Sequence, residues 1–446
     1  MNDIKFTKTN GGMGRKAANE DPISGLLMLL PEMSGFGFLS GTLGHPFTKL
    51  EKPDGTPDHD LYVAKLRYPE ELEQLGAGIV EQELSIASAY NTAAQYMAKA
   101  AKNAVSYHVK GFFRMNPEGT LYLGIKTDGS AIDAKDIAAL QNWANGTIRQ
   151  CGVFTGKLND NISAYQTECN TLESEHKPLS LICTTSGCTV SVTDPSATST
   201  DTNLTVSVSE DQTYILSNLA SSSTNLISAG RCNVSVLVGC DLDENLIGKK
   251  LGHYGYYGCL GICLGAVSKA SVHECIAWVQ KFPLGLAVPG LICDKPISEV
   301  STGDQEYINE NRYIFVRTHV GNADNFFNDS HTLDEVTSDY AYIENVRTID
   351  KACRGVRANL LPYLNSPLKV DAETGQLDPG TVAFLETTAG KALEDMEKAG
   401  ELSGYRAEID PEQNVLATSD VEVLIKNVPM GVMRSVHVKI GFTTSL

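Results

Sequence analysis

Two places in the sequence combine residue types that could do chemistry. Cys259, Cys263, His273 and Cys275 are side chains of the kinds that bind zinc. The cysteines, however, stand among Leu, Ile and Gly, and no paired Cys-x-x-Cys knuckle accompanies them. His273 is followed by Glu274 but lacks the second histidine that a zinc-protease helix requires. The spacing therefore predicts buried cysteines here instead of a metal site.

A second group, Asp329, Ser330 and His331, has the residue types of a serine hydrolase. Adjacency in sequence does not give triad geometry, and no nucleophile elbow surrounds the serine. Four glycines around Cys259 and Cys263 fit neither a dinucleotide fingerprint nor a P-loop, and we interpret them as small residues that allow close helix packing: Gly255, Gly258, Gly261 and Gly265. The sequence thus predicts no catalytic, cofactor-binding or metal-binding residue.

Composition narrows the class of protein. The chain has 446 residues, 42% hydrophobic and 20% charged, as in a soluble globular protein with two or three cores. Its net charge of −18 argues against a nucleic-acid partner, because phosphate binding needs clustered Lys and Arg. No run of 18 apolar residues is present, so we expect no direct membrane insertion. Eleven scattered cysteines, an odd number, indicate reduced and buried side chains.

Apolar runs alternate with amphipathic segments, which predicts an α/β (mixed α+β) fold. Asp133 can cap one helix, and a longer helix is expected over 81–108. Residues 184–223 are rich in Ser and Thr, which indicates either a small β-type insertion or a partly flexible loop. Strands are expected at 121–125, 151–154, 179–183 and 234–238.

The C-terminal third contains two predicted amphipathic helices. The first is expected to be capped by Ser338 or Asp339 and to end near Pro362. One of its faces carries a basic stripe that is either solvated or meets an acidic neighbour: Arg347, Lys351 and Arg354. The second begins at Asp378-Pro379 and has four acids on its outward face: Glu386, Glu394, Asp395 and Glu397.

Both ends of the chain have the pattern of strand-like arms. Near the C-terminus, apolar residues alternate with polar ones at Val436, Val438, Ile440 and Phe442, and a shorter alternation occurs at Ile4 and Phe6. Residues 1–16 have four basic side chains against one acid, and 427–446 have two basic side chains and no acid. The C-terminal strand either joins its own core or is donated to a neighbouring subunit, and basic ends on an acidic body favour docking on other copies.

Several segments resemble contractile tail sheath proteins, a family seen in myovirus-type phages, prophages and related contractile injection particles. The resemblance is specific in the last third of the chain and weaker before Leu179, and it does not cover 184–223, which we interpret as an addition. The segments are GGMGRKAANEDPISGLL (11–27), VSKASVHECIAWVQKF (267–282), YIFVRTHVGNADNFFNDSHT (313–332), SDYAYIENVRTIDKACRGVRANLLPYLNSPL (338–368) and IDPEQNVLATSDVEVLIKNVPMGVMRSVHVKIGF (409–442).

This resemblance implies a non-enzymatic structural subunit without a cofactor. Copies would form a helical polymer around an inner tube, with the N- and C-terminal arms shared as strands between subunits. A helix near the C-terminus would face the tube, and here it matches Pro379 to Ala399. The implied partners are other copies of the chain, the inner tail tube protein, and the baseplate and tail terminator proteins. The implied location is the tail of a virion or phage-like particle, assembled in the host cytoplasm.

Combined, these observations predict a sheath-type subunit of several regions. They are an N-terminal arm (1–20), an α+β region (21–178), an α/β core with the insertion at about 184–223 (179–330), a C-terminal core of helices and strands (331–428) and a C-terminal arm (429–446). Two other classes stay open at this stage. One is an α/β hydrolase-like or zinc-dependent enzyme that uses residues 253–275. The other is a non-enzymatic surface protein that displays the Ser/Thr-rich insertion.

Overall fold

The structure is a computed structural model. It describes residues 20–33, 47–51, 57–74, 93–155, 161–185, 188–193, 205–210, 215–221, 225–243, 258–292 and 295–443. Ile4, Phe6, Gly255 and about half of the Ser/Thr-rich segment lie outside these ranges. In the described part, no helix is both long and apolar enough to cross a membrane.

A mixed α/β fold, as predicted, is built on one large sheet. Across the described residues its eight strands are β1 Ile23–Leu29, β2 Thr48–Glu51, β3 Pro57–Leu66, β4 Thr120–Lys126, β5 Gln150–Thr155, β6 Ser180–Thr185, β9 Val234–Leu237 and β13 Tyr313–Ile314. They run in the order β13-β9-β6-β5-β1-β4-β3-β2, and all neighbours from β13 to β4 are parallel.

Smaller sheets surround this one. A β hairpin lies within the Ser/Thr-rich segment, which agrees with a β-type insertion: β7 Cys188–Thr193 with β8 Thr205–Glu210. A three-stranded sheet contains β10 Gly239–Asp241, β11 Pro289–Leu291 and β12 Lys295–Pro296. Two antiparallel pairs are β14 Val316–Thr318 with β15 Asn325–Phe327, and β16 Leu402–Glu408 with β17 Leu424–Pro429.

The helices are α1 Glu71–Gln74, α2 Ala93–Met115, α3 Ala134–Trp143, α4 Ile162–Ser174, α5 Leu216–Leu219, α6 Leu260–Lys269, α7 Thr302–Glu310, α8 Ile343–Leu360, α9 Pro379–Lys398 and α10 Val415–Thr418. Helices cover both faces of the large sheet: one face packs against α2 and α6, and the other against α3 and α4. Strands such as β1 and β9, which are buried on both faces, are therefore rich in apolar residues.

Two helix predictions are confirmed in their local detail. Asp133 caps α3 in a capping box with Asp136. Gly261 allows α2 and α6 to meet, because a Cβ atom there would lie 2.1 Å from the carbonyl oxygen of His108. At Gly265 the corresponding distance to the carbonyl oxygen of Phe112 is 2.5 Å. The interpretation of these two glycines as close-packing residues is therefore confirmed.

Two helix boundaries differ from prediction. The helix expected over 81–108 runs instead to Met115, and its described part begins at Ala93. The cap expected at Ser338 or Asp339 is wrong, because α8 begins only at Ile343. The Ser338 hydroxyl donates instead to Asp334 at 2.6 Å, within a turn that precedes the helix. The chain therefore enters α8 from that turn without a side-chain cap.

The C-terminal unit, α8, α9, β16 and β17, has its own small core. Four apolar residues of this unit are buried with Val272 from the body: Ala352, Leu393, Met396 and Leu402. Leu385 belongs to a second small cluster with Leu377 and Ile409. As predicted, α9 begins at Pro379 with Asp378 as its cap, since the Asp378 side chain accepts the Gly380 N–H.

Candidate assembly interface

The cysteines of the suspected zinc group are buried and lie in two places, with Cys259 and Cys263 together and Cys275 apart from them. Among the described residues, no group of three or more His, Cys, Asp or Glu side chains is arranged to hold a metal ion. Cys263 lies inside α6, where burial raises the pKa of its thiol. Cys275 lies elsewhere, 3.4 Å from both Asp329 Oδ1 and Ser330 Oγ. Burial, with Glu344 and Asp329 nearby, raises the pKa of this thiol to about 12, so it stays protonated and unreactive at neutral pH.

The suspected hydrolase group also lacks triad geometry. The Ser330 hydroxyl donates to the carboxylate of Glu344 and not to a histidine. His331 Nε2 lies 2.9 Å from Asn309 Oδ1, and burial lowers the pKa of this imidazole to about 4. An imidazole that faces an amide and not the hydroxyl cannot remove the serine proton. What the polar residues around Asp329 do instead is hold the C-terminal segment.

Arg434 attaches the C-terminal segment to the body. Its Nε donates to Asp329 Oδ2 at 2.9 Å, and its Nη2 donates to Glu344. Its guanidinium carbon lies 3.4 Å from the centroid of the Tyr342 ring. We call these four residues the clasp: Arg434, Asp329, Glu344 and Tyr342. Planar guanidinium groups suit this combination of carboxylate pairing and aromatic stacking, which a lysine could not reproduce.

Electrostatics in the clasp favour charged Arg434 and Asp329. Burial alone would raise the pKa of Asp329, but His331 and Arg434 hold it below its usual value. Burial raises the pKa of Glu344, although Arg434 and the Ser330 hydroxyl oppose that shift. Burial likewise opposes the charge on Arg434, yet Asp329 and Glu344 raise its pKa overall. Partly buried ion pairs of this kind are costly to break because the remaining charge loses its partner.

Beyond the clasp, the outer part of the C-terminal arm, residues 435–443, is exposed. It belongs to no strand of the described chain. Its apolar side chains are exposed: Val436 64%, Val438 71%, Ile440 92% and Phe442 111%. A run of apolar side chains this exposed is unusual in a soluble monomer and marks an interaction segment. Within the described residues, the arm is thus not an internal strand.

A free pair of strands lies in the same C-terminal unit. β16 and β17 pair only with each other among the described strands, so each has an outer edge without a ladder partner. On β17, Leu424 is 51% and Val428 56% exposed. A two-stranded sheet is marginal by itself and can accept further strands at its edges.

The basic stripe on α8 is not a solvated face. Arg347 is buried, and its Nη1 donates to the Ala270 carbonyl oxygen at 3.2 Å. Lys351 Nζ lies 2.7 Å from Asp21 Oδ2, and Arg354 Nη2 lies 3.0 Å from Asp21 Oδ1. The acidic neighbour is therefore part of the same chain, at the start of β1. The stripe faces inward because it ties the C-terminal unit to the body.

The four acids of α9 do not all face outward. Glu386 is half-buried, and its carboxylate accepts the Ile409 N–H at 2.9 Å. Glu394 pairs with Lys398 one turn along the helix. Asp395 and Glu397 are exposed, as predicted. The structure thus corrects the expected acidic face at Glu386, which stabilises the end of β16 instead.

The clasp is the functional feature that the sequence analysis missed. Asp329 lies 105 residues from Arg434, and Glu344 lies 90 residues from it, so no local spacing joins them. A weak signal was present, because Arg434 stands alone as a charge between Gly431 and His437. A single arginine in such a segment, however, indicates only a basic chain end and does not identify its partners.

Two family models match most of this chain. Residues 80–331 match the family model described as DUF2586, N-terminal domain, and residues 339–446 match DUF2586, C-terminal domain. The chain belongs to the DUF2586 family. No curated protein matches it.

Two solved structures match over the whole chain. A chain of the anti-feeding prophage (AFP) baseplate is 14% identical, with a TM-score of 0.51 and coverage of 100% of this chain and 99% of that one. A chain of the sheath complex of an extracellular contractile injection system, PVC, in the contracted state is 11% identical, with a TM-score of 0.53 and coverage of 100% and 98%. At these identities the likeness is one of fold.

Proposed function

We propose that this DUF2586 protein is the structural subunit of a contractile tail sheath. Copies polymerise helically around an inner tube and contract to drive that tube through a target envelope. The observation that carries the proposal is the C-terminal arm, an exposed apolar segment fixed to the body at its root by Arg434. Fold likeness over the full length to chains of two contractile particles supports it.

The arm needs a partner that one copy does not supply. Exposed apolar side chains on alternate positions suit the edge of another sheet, where backbone hydrogen bonds give affinity and side chains fix the register. The free edges of β16 and β17 are the acceptor in a neighbouring copy. Because donor and acceptor are different surfaces of the same chain, the contact is heterologous and generates an open polymer.

Strand donation also explains how a sheath could contract without fuel. Arms keep neighbours joined while their bodies rotate as rigid units between an extended and a compact lattice. The energy would then be stored in contacts between subunits, and no nucleotide or metal chemistry is required. On this proposal the particle tail contains the protein after assembly in the host cytoplasm, with baseplate and tail terminator proteins at its two ends.

The inner tube would be met by α9. Asp395 and Glu397 lie exposed on this helix, and Glu394 is partly exposed beside Lys398. Acidic side chains on a surface favour a basic partner and a contact that weakens with salt. We include the tail tube protein as the partner of this face.

Truncation of the arm tests the proposal. A variant that ends at Ser435 keeps Arg434 and its ion pairs but loses Val436, Val438, Ile440 and Phe442. We expect a folded, soluble protein that forms no sheath-like polymer by negative-stain electron microscopy and light scattering, whereas the full chain polymerises. The matched control replaces 188–210, the β7–β8 hairpin region, with a Gly/Ser linker, and should still polymerise.

Three results would count against it. A truncated protein that still polymerises would exclude arm donation. A truncated protein that loses its circular dichroism signal would show that the arm is an internal strand after all. An unpolymerised full chain in the presence of purified tube would count against the sheath assignment itself.

A further inference from the structure

We propose that helix α8 electrostatically couples the two ends of the described chain, with Arg347 as the link. Four charged residues lie three, four and three positions apart on α8 and therefore share one face: Glu344, Arg347, Lys351 and Arg354. At 1.5 Å per residue they span about 15 Å along the helix. The inference concerns a single folded chain and does not rest on the proposed function.

One end of this stripe holds the start of β1. Asp21 accepts from Lys351 at 2.7 Å and from Arg354 at 3.0 Å. Lys351 also donates to Glu401, at the start of β16, at 2.6 Å. Asp21 is buried and directly follows the N-terminal segment of the chain. Its carboxylate therefore fixes the point where that segment joins the body.

The other end of the stripe holds the C-terminal arm. Glu344 is 3% exposed and pairs with Arg434, the charged member of the arm root. The two chain ends are therefore anchored on one helix, about three turns apart. Neither anchor touches the other directly, so any coupling must pass through what lies between them.

Arg347 lies between the two anchors and is only 4% exposed. Its Nη1 donates to the Ala270 carbonyl oxygen, whereas its Nη2 is buried without a hydrogen-bond partner in the described structure. The charge of Arg347 acts on Glu344 at one anchor and on Asp21 and Glu401 at the other. Because the guanidinium is buried, water and salt screen these interactions only weakly.

This arrangement predicts that the anchors respond to each other. When Arg434 leaves Glu344, that carboxylate loses its ion-pair partner, and Arg347, three positions along α8, is the nearest remaining cation on the same face of the helix. The attraction of Arg347 toward Glu344 then opposes its attraction toward Asp21 and Glu401. As a result, the N-terminal anchor, Asp21 with Lys351 and Arg354, becomes less stable. Linkage requires the reverse effect to be equal in size.

Hydrogen exchange on the unassembled full chain tests the coupling. The Ile23 N–H donates to the Glu20 carbonyl oxygen and reports the N-terminal anchor. We expect Arg434→Gln to speed exchange at residues 20–24 at least about threefold, as for members of one charge network. Arg406→Gln, at an exposed arginine of β16, is the matched control and should change nothing there.

The role of Arg347 is tested by a double-variant cycle. In an Arg347→Met background, Arg434→Gln should no longer speed exchange at 20–24, whereas an Arg347→Lys background should keep the effect because the charge remains. If Arg347→Met does not fold, the Arg347→Lys background is compared with wild type. Retention of the Arg434→Gln effect on exchange at 20–24 in that background supports the link, and its loss overturns the link. An Arg434→Gln effect that stays within 329–344 and the arm root overturns the proposal.

Reciprocity offers an independent measurement. Lys351→Met should loosen the arm root and speed tryptic cleavage after Arg434, while cleavage after Lys439, in the exposed part of the arm, serves as the internal control. Equal cleavage rates at Arg434 in the variant and the wild type would exclude coupling in this direction.

Discussion

The large sheet and the C-terminal arm use similar apolar residues in opposite ways. Leu26, Leu27 and Met28 in β1 are completely buried between helices of the same chain. In the arm, Ile440 is 92% and Phe442 111% exposed. The apolar side chains of β1 are buried on both faces of the sheet, whereas the apolar side chains at alternate positions of the arm are not buried by any described residue. The body buries its apolar strands within one chain, and on the proposed function the arm is buried only against a neighbouring copy.

The difference has a consequence for energetics. Burying one Val, Ile or Phe side chain contributes about 1.5–3 kcal/mol. For the body this free energy is already part of the folded monomer, but for the arm it becomes available only on association. Changes in the body should therefore alter monomer stability, and changes in the arm should alter assembly alone. The following predictions test that contrast, ordered by their expected effect on the free energy of unfolding.

Adding one methyl group at the centre of the body should have the largest effect. Gly261→Ala places a Cβ atom 2.1 Å from the His108 carbonyl oxygen, so α2 and α6 must move apart. We expect a loss of about 3 kcal/mol or more, measured by urea denaturation of the unassembled protein. Gly404→Ala in β16, where nothing lies within 4 Å of the added atom, is the control and should change stability little. Equal midpoints for the two variants would contradict the close packing of these helices.

The sequence predicted the body better than the connections between its parts. Strands β4, β5, β6 and β9 could be predicted because each contains a short apolar run, and the cap of α3 because Asp133 precedes a periodic segment. By contrast, the inward direction of the α8 stripe depends on Asp21, which lies 330 residues from Lys351. Spacing within one helix cannot reveal a partner so distant in sequence.

The junction between body and C-terminal unit should show an intermediate effect that depends on pH. Burial raises the pKa of Asp350 on α8 from 3.8 to about 7, despite the nearby Arg354 and Arg149. Between those pH values the unfolded chain is ionised at this position and the folded chain is not, so stability falls as pH rises from about 4 to 7. Asp350→Asn should remove this slope and raise the free energy of unfolding at pH 8 by about 1–3 kcal/mol.

Chemical denaturation at several pH values checks this expectation. At pH 4 the Asp350→Asn variant and the wild type should have equal stability, because the carboxyl is protonated in the folded state of the latter. Glu306→Gln, at an exposed acid of α7, is the control and should leave the pH profile unchanged. A variant that is destabilised at pH 8 would show that the ionised Asp350 holds the junction together.

Charge reversal on α9 should change monomer stability only slightly. Glu394→Lys with Glu397→Lys removes one exposed pair with Lys398, worth about 0.3–0.5 kcal/mol. On the proposed function, the same change should weaken co-sedimentation with the tube and reduce its salt dependence, while sheath polymerisation continues. Glu373→Lys with Glu412→Lys gives an equal charge change at exposed positions of the same unit and should bind tube normally. Unchanged tube binding by the α9 variant would remove this face from the proposal.

The arm should show the smallest effect on monomer stability and a complete effect on assembly. Val438 is 71% exposed in one copy, so Val438→Asp costs the folded chain almost nothing. In a donated strand, however, alternate side chains face opposite sides of the acceptor sheet, and a carboxylate on the apolar side would be buried without a partner. His437→Asp places the same carboxylate one residue earlier, on the other side, and should still polymerise. Light scattering and electron microscopy of the two variants would separate a strand from a merely sticky tail, because a tail without register would respond equally to both substitutions.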